Sequence, residues 1–194
     1  MRIRPATRQD TLAIAELTLL AGEGIPAYFW AQVQRTEESI VDVGARCALS
    51  ETENFSYRNA RLALLDGEIA GIMLAYRLPS IVAAEALSLF PEFIRPLLEL
   101  EQCVPNSYYV NMLATYPKFR NRGVGSALMG VVDGLATQAG CTLSSVAVFE
   151  ENRTAFRLYE RIGYRVIATR PVVAHPCHPY RGKVVLLTRD VVRG

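Results

Sequence analysis

The hydrophobic positions of the chain follow two different periods, which predicts a mixed α/β protein. Residues 2–4 form a short strand candidate, and a helix is expected after Thr7, whose side chain is typical of a helix N-cap. Two short helices are predicted between Gly24 and Leu49, because Pro26 and Thr36 each stand near a helix start. The apolar face of the first helix is predicted to comprise Leu12, Ile14, Ala15, Leu17 and Leu20.

Two apolar runs then predict an antiparallel hairpin. Residues 61–65 and 69–76 are separated by Asp66-Gly67-Glu68, and Asp-Gly between such runs is a strong hairpin signal. Pro79 ends the second run. Residues 91–101 carry apolar side chains at helical spacing, with Pro96 expected to interrupt the helix. This segment is therefore predicted to be an inserted helical element.

The second half of the sequence predicts alternating strands and helices. Strands are expected at residues 108–114, 143–149, 164–169 and 184–188. One helix is predicted over residues 124–139 and stops at Gly140, and a second over residues 152–161 stops at Gly163. The inward face of the second helix is predicted to carry Ala155, Leu158, Tyr159 and Ile162.

Composition narrows the class of protein. A chain of 194 residues with 51% hydrophobic and 21% charged residues is typical of a folded protein, and we expect one domain over residues 1–194. The net charge of +2 comes from scattered basic residues, so nucleic acid is not the expected partner. No apolar run reaches the ~20 residues of a membrane span. With no secretory signal pattern and four widely spaced cysteines, the chain is expected to be cytoplasmic with free thiols.

The turn at residues 120–125 is the strongest candidate for chemistry. Gly123 and Gly125 lie where a strand leads into a helix, so backbone N–H groups can surround an anion, and the helix dipole adds to the attraction. An ordinary tight turn needs glycines as well. A P-loop is excluded because no Lys separates Gly125 from Ser126, and a dinucleotide fingerprint is excluded because Leu128 stands where its third glycine belongs.

Two motifs in this order resemble the signatures of the GNAT superfamily of N-acetyltransferases. Residues 113–128 contain Arg120-Asn121-Arg122-Gly123-Val124-Gly125, which matches the Arg/Gln-x-x-Gly-x-Gly/Ala core of the acetyl-CoA signature. Residues 152–164 resemble the second signature, Asn-x-x-Ala-x-x-x-Tyr followed by Gly-Tyr. The resemblance implies the GNAT fold: a central, mixed, mostly antiparallel twisted sheet of about seven strands, flanked by helices, with a helical insertion between the third and fourth strands.

The resemblance also implies how acetyl-CoA binds. The backbone of Leu113, Ala114 and Thr115 would bind the pantetheine arm, and the Leu113 N–H would stabilise the oxyanion, although Leu113 is equally suited to a core strand. Lys118, Arg120 or Arg122 could add charged contacts, or could simply be solvated. The backbone N–H groups that would hold the pyrophosphate belong to Arg120, Asn121, Arg122, Gly123, Val124, Gly125 and Ser126.

Two residues of the second signature have implied roles. Asn152 resembles the family residue that hydrogen-bonds the pantetheine, and Asn is also a good N-cap for the helix that it starts. Tyr159 matches the tyrosine that protonates the departing CoA thiolate, and a phenol with a pKa near ~10 can donate a proton at neutral pH. The alternative for Tyr159 is a core aromatic, because it shares the inward helical face.

The general base is left open. Many family members use a Glu near the fourth strand, where this chain has Asn111, and the remaining candidates are Glu23, Glu99, Glu101 and His175. The segment from His175 to His178 holds three donors without an evident fourth, so no metal site is expected. Residues 28–30, Tyr-Phe-Trp, could enclose a cationic amine, but covering the core is the commoner use of such a cluster.

The expected activity is transfer of an acetyl group from acetyl-CoA to a primary amine by direct attack in a ternary complex. The acceptor is a small molecule or a peptide. A non-catalytic acyl-CoA sensor is the alternative, since the strand Glu is missing. The apolar addition around residues 90–100 gives a further expectation, a homodimer contact.

Overall fold

The computed structural model describes residues 1–80 and 87–192, and it confirms the expected fold class. Seven strands form one mixed, mostly antiparallel sheet in the order β1-β2-β3-β4-β5-β7-β6. The strands are β1 (Arg2–Pro5), β2 (Ala60–Leu65), β3 (Glu68–Arg77), β4 (Tyr108–Thr115), β5 (Leu143–Phe149), β6 (Arg165–Pro171) and β7 (Lys183–Asp190).

The helices accompany these strands in the predicted alternation. In the described residues they are α1 (Thr11–Ala21), α2 (Ile25–Ala31), α3 (Ile40–Ala48), α4 (Arg95–Glu101), α5 (Val124–Met129), α6 (Val132–Gln138) and α7 (Arg153–Arg161). Part of the predicted insertion between the third and fourth strands falls on residues 81–86, outside the described residues. Within the described ranges, no helix combines the length and apolarity needed to cross a membrane.

The chain divides into two compact units, each made of separate segments. The first comprises residues 1–75 and 111–130, and the second comprises residues 76–110 and 131–194. The first unit contains β1, β2, most of β3 and the end of β4, with a core that includes Leu17, Leu62 and Ile72. The second contains the parallel β4–β5 pairing from Tyr108 to Val110, and the antiparallel pairs of β7 with β5 and β6.

The hairpin prediction is confirmed. Asp66 and Gly67 both have positive φ, 54° and 85°, which is the backbone that a tight two-residue turn between twisted strands requires. Strand β2 pairs antiparallel with β3 from Ala60 opposite Leu74 to Leu65 opposite Glu68. A register shift between Ala63 and Leu64 marks a bulge.

The predicted apolar face of α1 is partly wrong. Ile14, Ala15 and Leu17 are fully buried, whereas Leu12 is 54% exposed and Leu20 is 43% exposed. At ~100° per residue, positions 12 and 20 lie on the side of the helix opposite position 14. The five predicted residues therefore span a wider arc of the helix than the core covers, and the two outermost are exposed.

Two other helix predictions need correction. Residues 124–139 form two short helices, because the backbone breaks at Gly130 and Val131, and glycine has a low helix propensity. Pro96 does not interrupt its helix, since α4 begins at Arg95 and Pro96 lies in the first turn, where its missing N–H has no intrahelical acceptor to lose.

A partly buried ion pair precedes α1 and predicts a pH dependence of stability. Arg4 binds Asp10 through two hydrogen bonds of 2.7 and 2.8 Å, and the backbone N–H of Thr7 donates to Asp10 Oδ2 at 2.7 Å. The Arg4 guanidinium, with Thr7, lowers the pKa of Asp10 from 3.8 to about 2. The ionised carboxylate therefore stabilises the folded state fully at any pH above the pKa that Asp10 has in the unfolded chain.

We expect Asp10→Asn to lower the free energy of unfolding at pH 7 by about 2 kcal/mol. The difference from the wild type should shrink as pH falls from about 4 to about 2, where the wild-type carboxylate becomes protonated. Urea unfolding of both proteins at several pH values measures this difference in the free energy of unfolding. Glu51→Gln is the control, because the Glu51 pairs with Arg8 and Arg58 are exposed and should contribute less. An unchanged difference down to pH 2 would contradict the assigned role of the ion pair.

Candidate active site

The first candidate region, in the first unit, is the end of β4, which lies against a glycine of β3. Leu113 and Thr115 are half-buried and Ala114 is buried. A Cβ atom on Gly71 would come within 2.5 Å of the Ala114 carbonyl oxygen and 2.8 Å of Val124 Cγ1. The absence of a side chain at Gly71 is therefore what permits this close approach of the backbone.

The turn after β4 adopts two left-handed backbone conformations. Arg120 is extended, Asn121 has φ 60° and Gly123 has φ 79°, after which α5 begins at Val124. The Ala127 N–H donates to the Gly123 carbonyl oxygen at 3.0 Å. The N–H groups of Val124 and Gly125 precede this first intrahelical donor, as at any helix start. A Cβ on Gly123 would meet no atom within 4 Å, so this side of the turn is open.

The basic side chains of the turn differ in their partners. Lys118 forms an ion pair with Glu68, and Arg122 Nη2 lies 3.0 Å from Asp66 Oδ2. Both acids belong to the β2–β3 hairpin, and all four side chains are exposed. The Arg120 side chain has no hydrogen bond or ion pair with any residue in the described parts of the chain, whereas its backbone N–H donates to the Pro117 carbonyl oxygen at 3.2 Å. Of the three cations, Arg120 alone could bind an anion without first giving up an ion pair.

A separate candidate region, in the second unit, is the start and inner face of α7. Asn152 is the N-cap, and its Oδ1 accepts a hydrogen bond of 3.2 Å from the Ala155 N–H. The capping interpretation of Asn152 is thus confirmed. Its role in pantetheine binding stays a prediction.

Tyr159 is the buried residue of α7. Its side chain is 5% exposed, and its ring centroid lies 6.0 Å from that of Tyr164. Burial, with a smaller contribution from Tyr164, raises the pKa of the Tyr159 hydroxyl above the ordinary value of 10.0. The hydroxyl therefore stays protonated throughout the neutral range. Three other residues were predicted to face inward beside Tyr159. All three are half-buried: Ala155, Leu158 and Ile162.

Two of the four base candidates lie on α4 and differ in environment. Glu99 forms a 2.8 Å ion pair with Arg170, and both side chains are about two-fifths exposed, at 44% and 37%. Glu101 accepts a hydrogen bond from the Tyr109 hydroxyl, and desolvation raises the pKa of Glu101 to about 7. A carboxyl group with this pKa can both accept and release a proton at neutral pH.

The other two base candidates, His175 and Glu23, have different surroundings. The His175 ring stacks on Phe93, with ring centroids 4.1 Å apart, and its Nδ1 accepts a hydrogen bond from the Cys177 N–H. Glu23 is half-buried and has a positive φ of 54°. Over residues 1–80 and 87–192, no three His, Cys, Asp or Glu side chains are grouped closely enough to hold a metal ion.

The aromatic residues after α1 contribute to the core. Trp30 is 7% exposed and packs with Ala15 and Val43, and its ring lies 5.5 Å from that of Phe55. Tyr28 and Phe29 contact each other edge to face. The core interpretation is therefore confirmed for Trp30.

Two residues of functional interest were absent from the sequence prediction. Gly71 could have been found, because a glycine inside a strand often marks close backbone approach. Tyr109 could not, since nothing in an apolar strand sequence indicates that its hydroxyl binds a carboxyl group from a separate helix.

Comparisons with known proteins identify the family and the fold. Residues 27–164 match the model of the Acetyltransferase (GNAT) family, which is more than half of the chain. The fold is similar to that of a polyamine N-acetyltransferase from Drosophila melanogaster that forms N-acetylagmatine, with a TM-score of 0.68, 21% identity, and coverage of 97% of this chain and 99% of that one. An N-acetyltransferase from Staphylococcus aureus gives a TM-score of 0.64, with 17% identity and coverage of 97% and 100%.

A third structure, the acetyltransferase yncA from Salmonella typhimurium, was solved with its cofactor acetyl-CoA. It gives a TM-score of 0.61 at 16% identity, and the match covers 100% of this chain and 95% of that one. At these identities the likeness shows the fold alone, whereas the family match extends over both signature motifs. The chain therefore belongs to the GNAT family of acetyltransferases and is an acyltransferase that uses acetyl-CoA as its cosubstrate.

Proposed function

We propose that the protein transfers the acetyl group of acetyl-CoA to a primary amine by direct attack of the amine in a ternary complex. The observation that carries the proposal is Tyr159: a buried phenol that stays protonated at neutral pH, at the position of the family's proton donor. A sensor that only bound acyl-CoA would have no use for a proton donor there.

The chain's own residues divide the work of acetyl transfer. The Leu113 N–H is proposed to donate to the thioester oxygen, and removing such a donor typically costs ~3 kcal/mol of transition-state stabilisation. The backbone of Ala114 and Thr115 is proposed to bind the pantetheine arm, with Asn152 as a further contact. Tyr159 is proposed to protonate the departing sulfur. The pyrophosphate is proposed to lie against the backbone N–H groups of residues 121–126, because the N–H of Arg120 already donates to the Pro117 carbonyl oxygen at 3.2 Å.

Thiol release tests the proposal. Wild-type protein, acetyl-CoA and a panel of primary amines and peptides should yield free CoA together with an acetylated amine, identified by mass spectrometry. Binding of acetyl-CoA without thiol release across the whole panel would favour the sensor instead. Binding is measured separately by calorimetry, so the two outcomes are distinguished.

The basic residues of the turn give a sharper prediction for cofactor binding. Arg120→Ala should weaken acetyl-CoA binding by about 10-fold, because a charge-assisted hydrogen bond to phosphate contributes roughly 1.5 kcal/mol. Calorimetry at several salt concentrations measures the dissociation constant. Arg122→Ala is the matched control and should have a smaller effect, since Arg122 is already paired with Asp66. Equal effects of the two substitutions would refute a specific role for Arg120.

A further inference from the structure

The end of α7 is closed by a Schellman motif that begins at Tyr159. The Gly163 N–H donates to the Glu160 carbonyl oxygen at 3.0 Å. The Tyr164 N–H donates to the Tyr159 carbonyl oxygen, also at 3.0 Å. Gly163 has φ 91°, the left-handed conformation that this motif requires. The two hydrogen bonds therefore fix the backbone of Tyr159 relative to that of Tyr164.

The same two residues also pack their side chains together. A contact between these two positions frequently accompanies a Schellman motif, and here it joins two aromatic rings. The ring centroids of Tyr159 and Tyr164 lie 6.0 Å apart with an interplanar angle of 54°, and the residues are only 5% and 2% exposed. The orientation of the Tyr159 ring thus depends on where the Tyr164 ring is held.

One arginine of β7 lies against this motif. Arg189 Nη1 donates to the carbonyl oxygen of Ile162, the C-cap of α7, at 3.2 Å. Its guanidinium carbon lies 5.2 Å from the centroid of the Tyr164 ring, and a Cβ atom on Gly163 would lie 3.5 Å from its Cδ. The helix dipole also favours a cation at this end of α7. Arg189 therefore contacts the cap, the glycine and the ring of Tyr164, but not through the Tyr164 hydroxyl.

A carboxylate from another helix holds the arginine in place. Arg189 Nη2 donates to Oδ1 of Asp133, in the first turn of α6, at 2.6 Å, and the two side chains are 22% and 26% exposed. Ser144 Oγ in β5 donates to the Arg189 carbonyl oxygen at 3.1 Å, so the backbone is anchored in the sheet. All these residues belong to the second unit. Because the guanidinium is a rigid planar fork, its two hydrogen bonds set its orientation.

We propose that Arg189, held by Asp133, is a positioning residue: it fixes the end of α7 and the Tyr164 ring, and thereby keeps the Tyr159 hydroxyl in one orientation. The proposal rests on the role of Tyr159 in the acetyl transfer proposed above, and adds the residues through which the fold orients it. Proton donation requires a short, aligned hydrogen bond, and a displacement of ~1 Å can cost about 100-fold in rate. Arg189 acts through Tyr159 and not on the substrate.

The orientation of Tyr159 can be measured without turnover. In protein with isotope-labelled tyrosine rings, the nuclear magnetic resonance signal that is lost in Tyr159→Phe belongs to Tyr159. We expect this signal to shift and broaden in Arg189→Gln, because the ring then exchanges between orientations. Arg165→Gln is the matched control, since Arg165 is an exposed arginine next to Tyr164, and it should leave the signal unchanged. An unchanged Tyr159 signal in Arg189→Gln would overturn the proposal.

Kinetics with an amine accepted in the panel measure the consequence for the reaction. Arg189→Gln should lower kcat about 10-fold and leave the KM for acetyl-CoA within about twofold, because a misplaced proton donor affects the transition state and not binding. Arg189→Lys keeps the charge without the planar fork and should restore part of kcat. Asp133→Ala removes the acceptor of Nη2 alone, and it should lower kcat about threefold even if Arg189→Gln folds poorly. A wild-type kcat in the two variants, or a loss seen only as a higher KM, would refute the positioning role.

A double-mutant cycle separates this proposal from the function on which it rests. In a Tyr159→Phe background there is no hydroxyl to position, so Arg189→Gln should lower kcat by less than about twofold. The same 10-fold loss in both backgrounds would overturn the positioning role and leave acetyl transfer with Tyr159 as the donor intact. A Tyr159→Phe rate close to that of the wild type would instead refute the proton donor, and the Tyr159 signal in Arg189→Gln would still decide whether Arg189 orients that ring.

Discussion

Tyr159→Phe is expected to lower kcat for acetyl transfer by about 100-fold, at the low end of the range for general acid catalysis. The hydroxyl is buried and its pKa is raised by burial, so it does not ionise in any ordinary assay buffer. A thiol has a pKa near ~8.5, which makes this tyrosine a weaker acid than the thiol it forms. Its contribution is therefore mainly a hydrogen bond to the developing thiolate, with transfer completed as the C–S bond breaks.

The substitution should affect turnover without affecting the fold. Removing one hydroxyl leaves the aromatic packing against Tyr164 in place, so the temperature of unfolding and the dissociation constant of acetyl-CoA should change little. Tyr164→Phe is the control, because Tyr164 is an equally buried neighbour without an assigned role in the reaction. Single-turnover rates of thiol release measure the effect. A Tyr159→Phe rate within about threefold of the wild type would make Tyr159 a packing residue only.

The second large effect is expected at Gly71. An alanine Cβ there would lie 2.5 Å from the Ala114 carbonyl oxygen and 3.4 Å from Thr115 Cα. Both are backbone atoms, so no side chain can rotate away, and the end of β4 must shift. The Tyr116 N–H, which donates to the Ala70 carbonyl oxygen at 2.9 Å, ties the same two segments together.

We expect Gly71→Ala to lower the free energy of unfolding by about 1–3 kcal/mol and to weaken acetyl-CoA binding at least about 10-fold. Urea unfolding and calorimetry measure the two effects. Gly134→Ala is the control, because a Cβ at Gly134 in α6 meets no atom within 4 Å and should stabilise the helix by up to about 1 kcal/mol. Wild-type affinity for acetyl-CoA in Gly71→Ala would show that the end of β4 does not position the cofactor.

The sequence predicted the fold where the signals are local. The Asp66-Gly67 turn requires two positive φ angles, and the seven strands follow from apolar runs bounded by turn residues. The exposure of Leu12 was not predicted, because it depends on how much of the helix the rest of the protein covers. The interruption at Gly130 has a local signal, the low helix propensity of glycine, which the prediction of one long helix did not use.

In the candidate site, too, the sequence predicted the residues that have a local signal and missed those that depend on tertiary contacts. The glycine turn and Tyr159 are recognised because their spacing within a motif is a property of the sequence. The raised pKa of Glu101 arises from burial, which outweighs the opposite effect of the hydrogen bond from Tyr109 on a different element. Neither effect is visible in the sequence, so the four base candidates could not be ranked from it. Desolvation is a tertiary effect and separates Glu101 from the ion-paired Glu99.

Initial rates of thiol release, measured while both acetyl-CoA and a primary amine accepted in the panel are varied, test the central claim most directly. Direct attack in a ternary complex predicts double-reciprocal lines that intersect, and no release of thiol until the amine is added. Parallel lines, or a burst of thiol from protein and acetyl-CoA alone, would indicate an acetylated enzyme intermediate and contradict direct transfer.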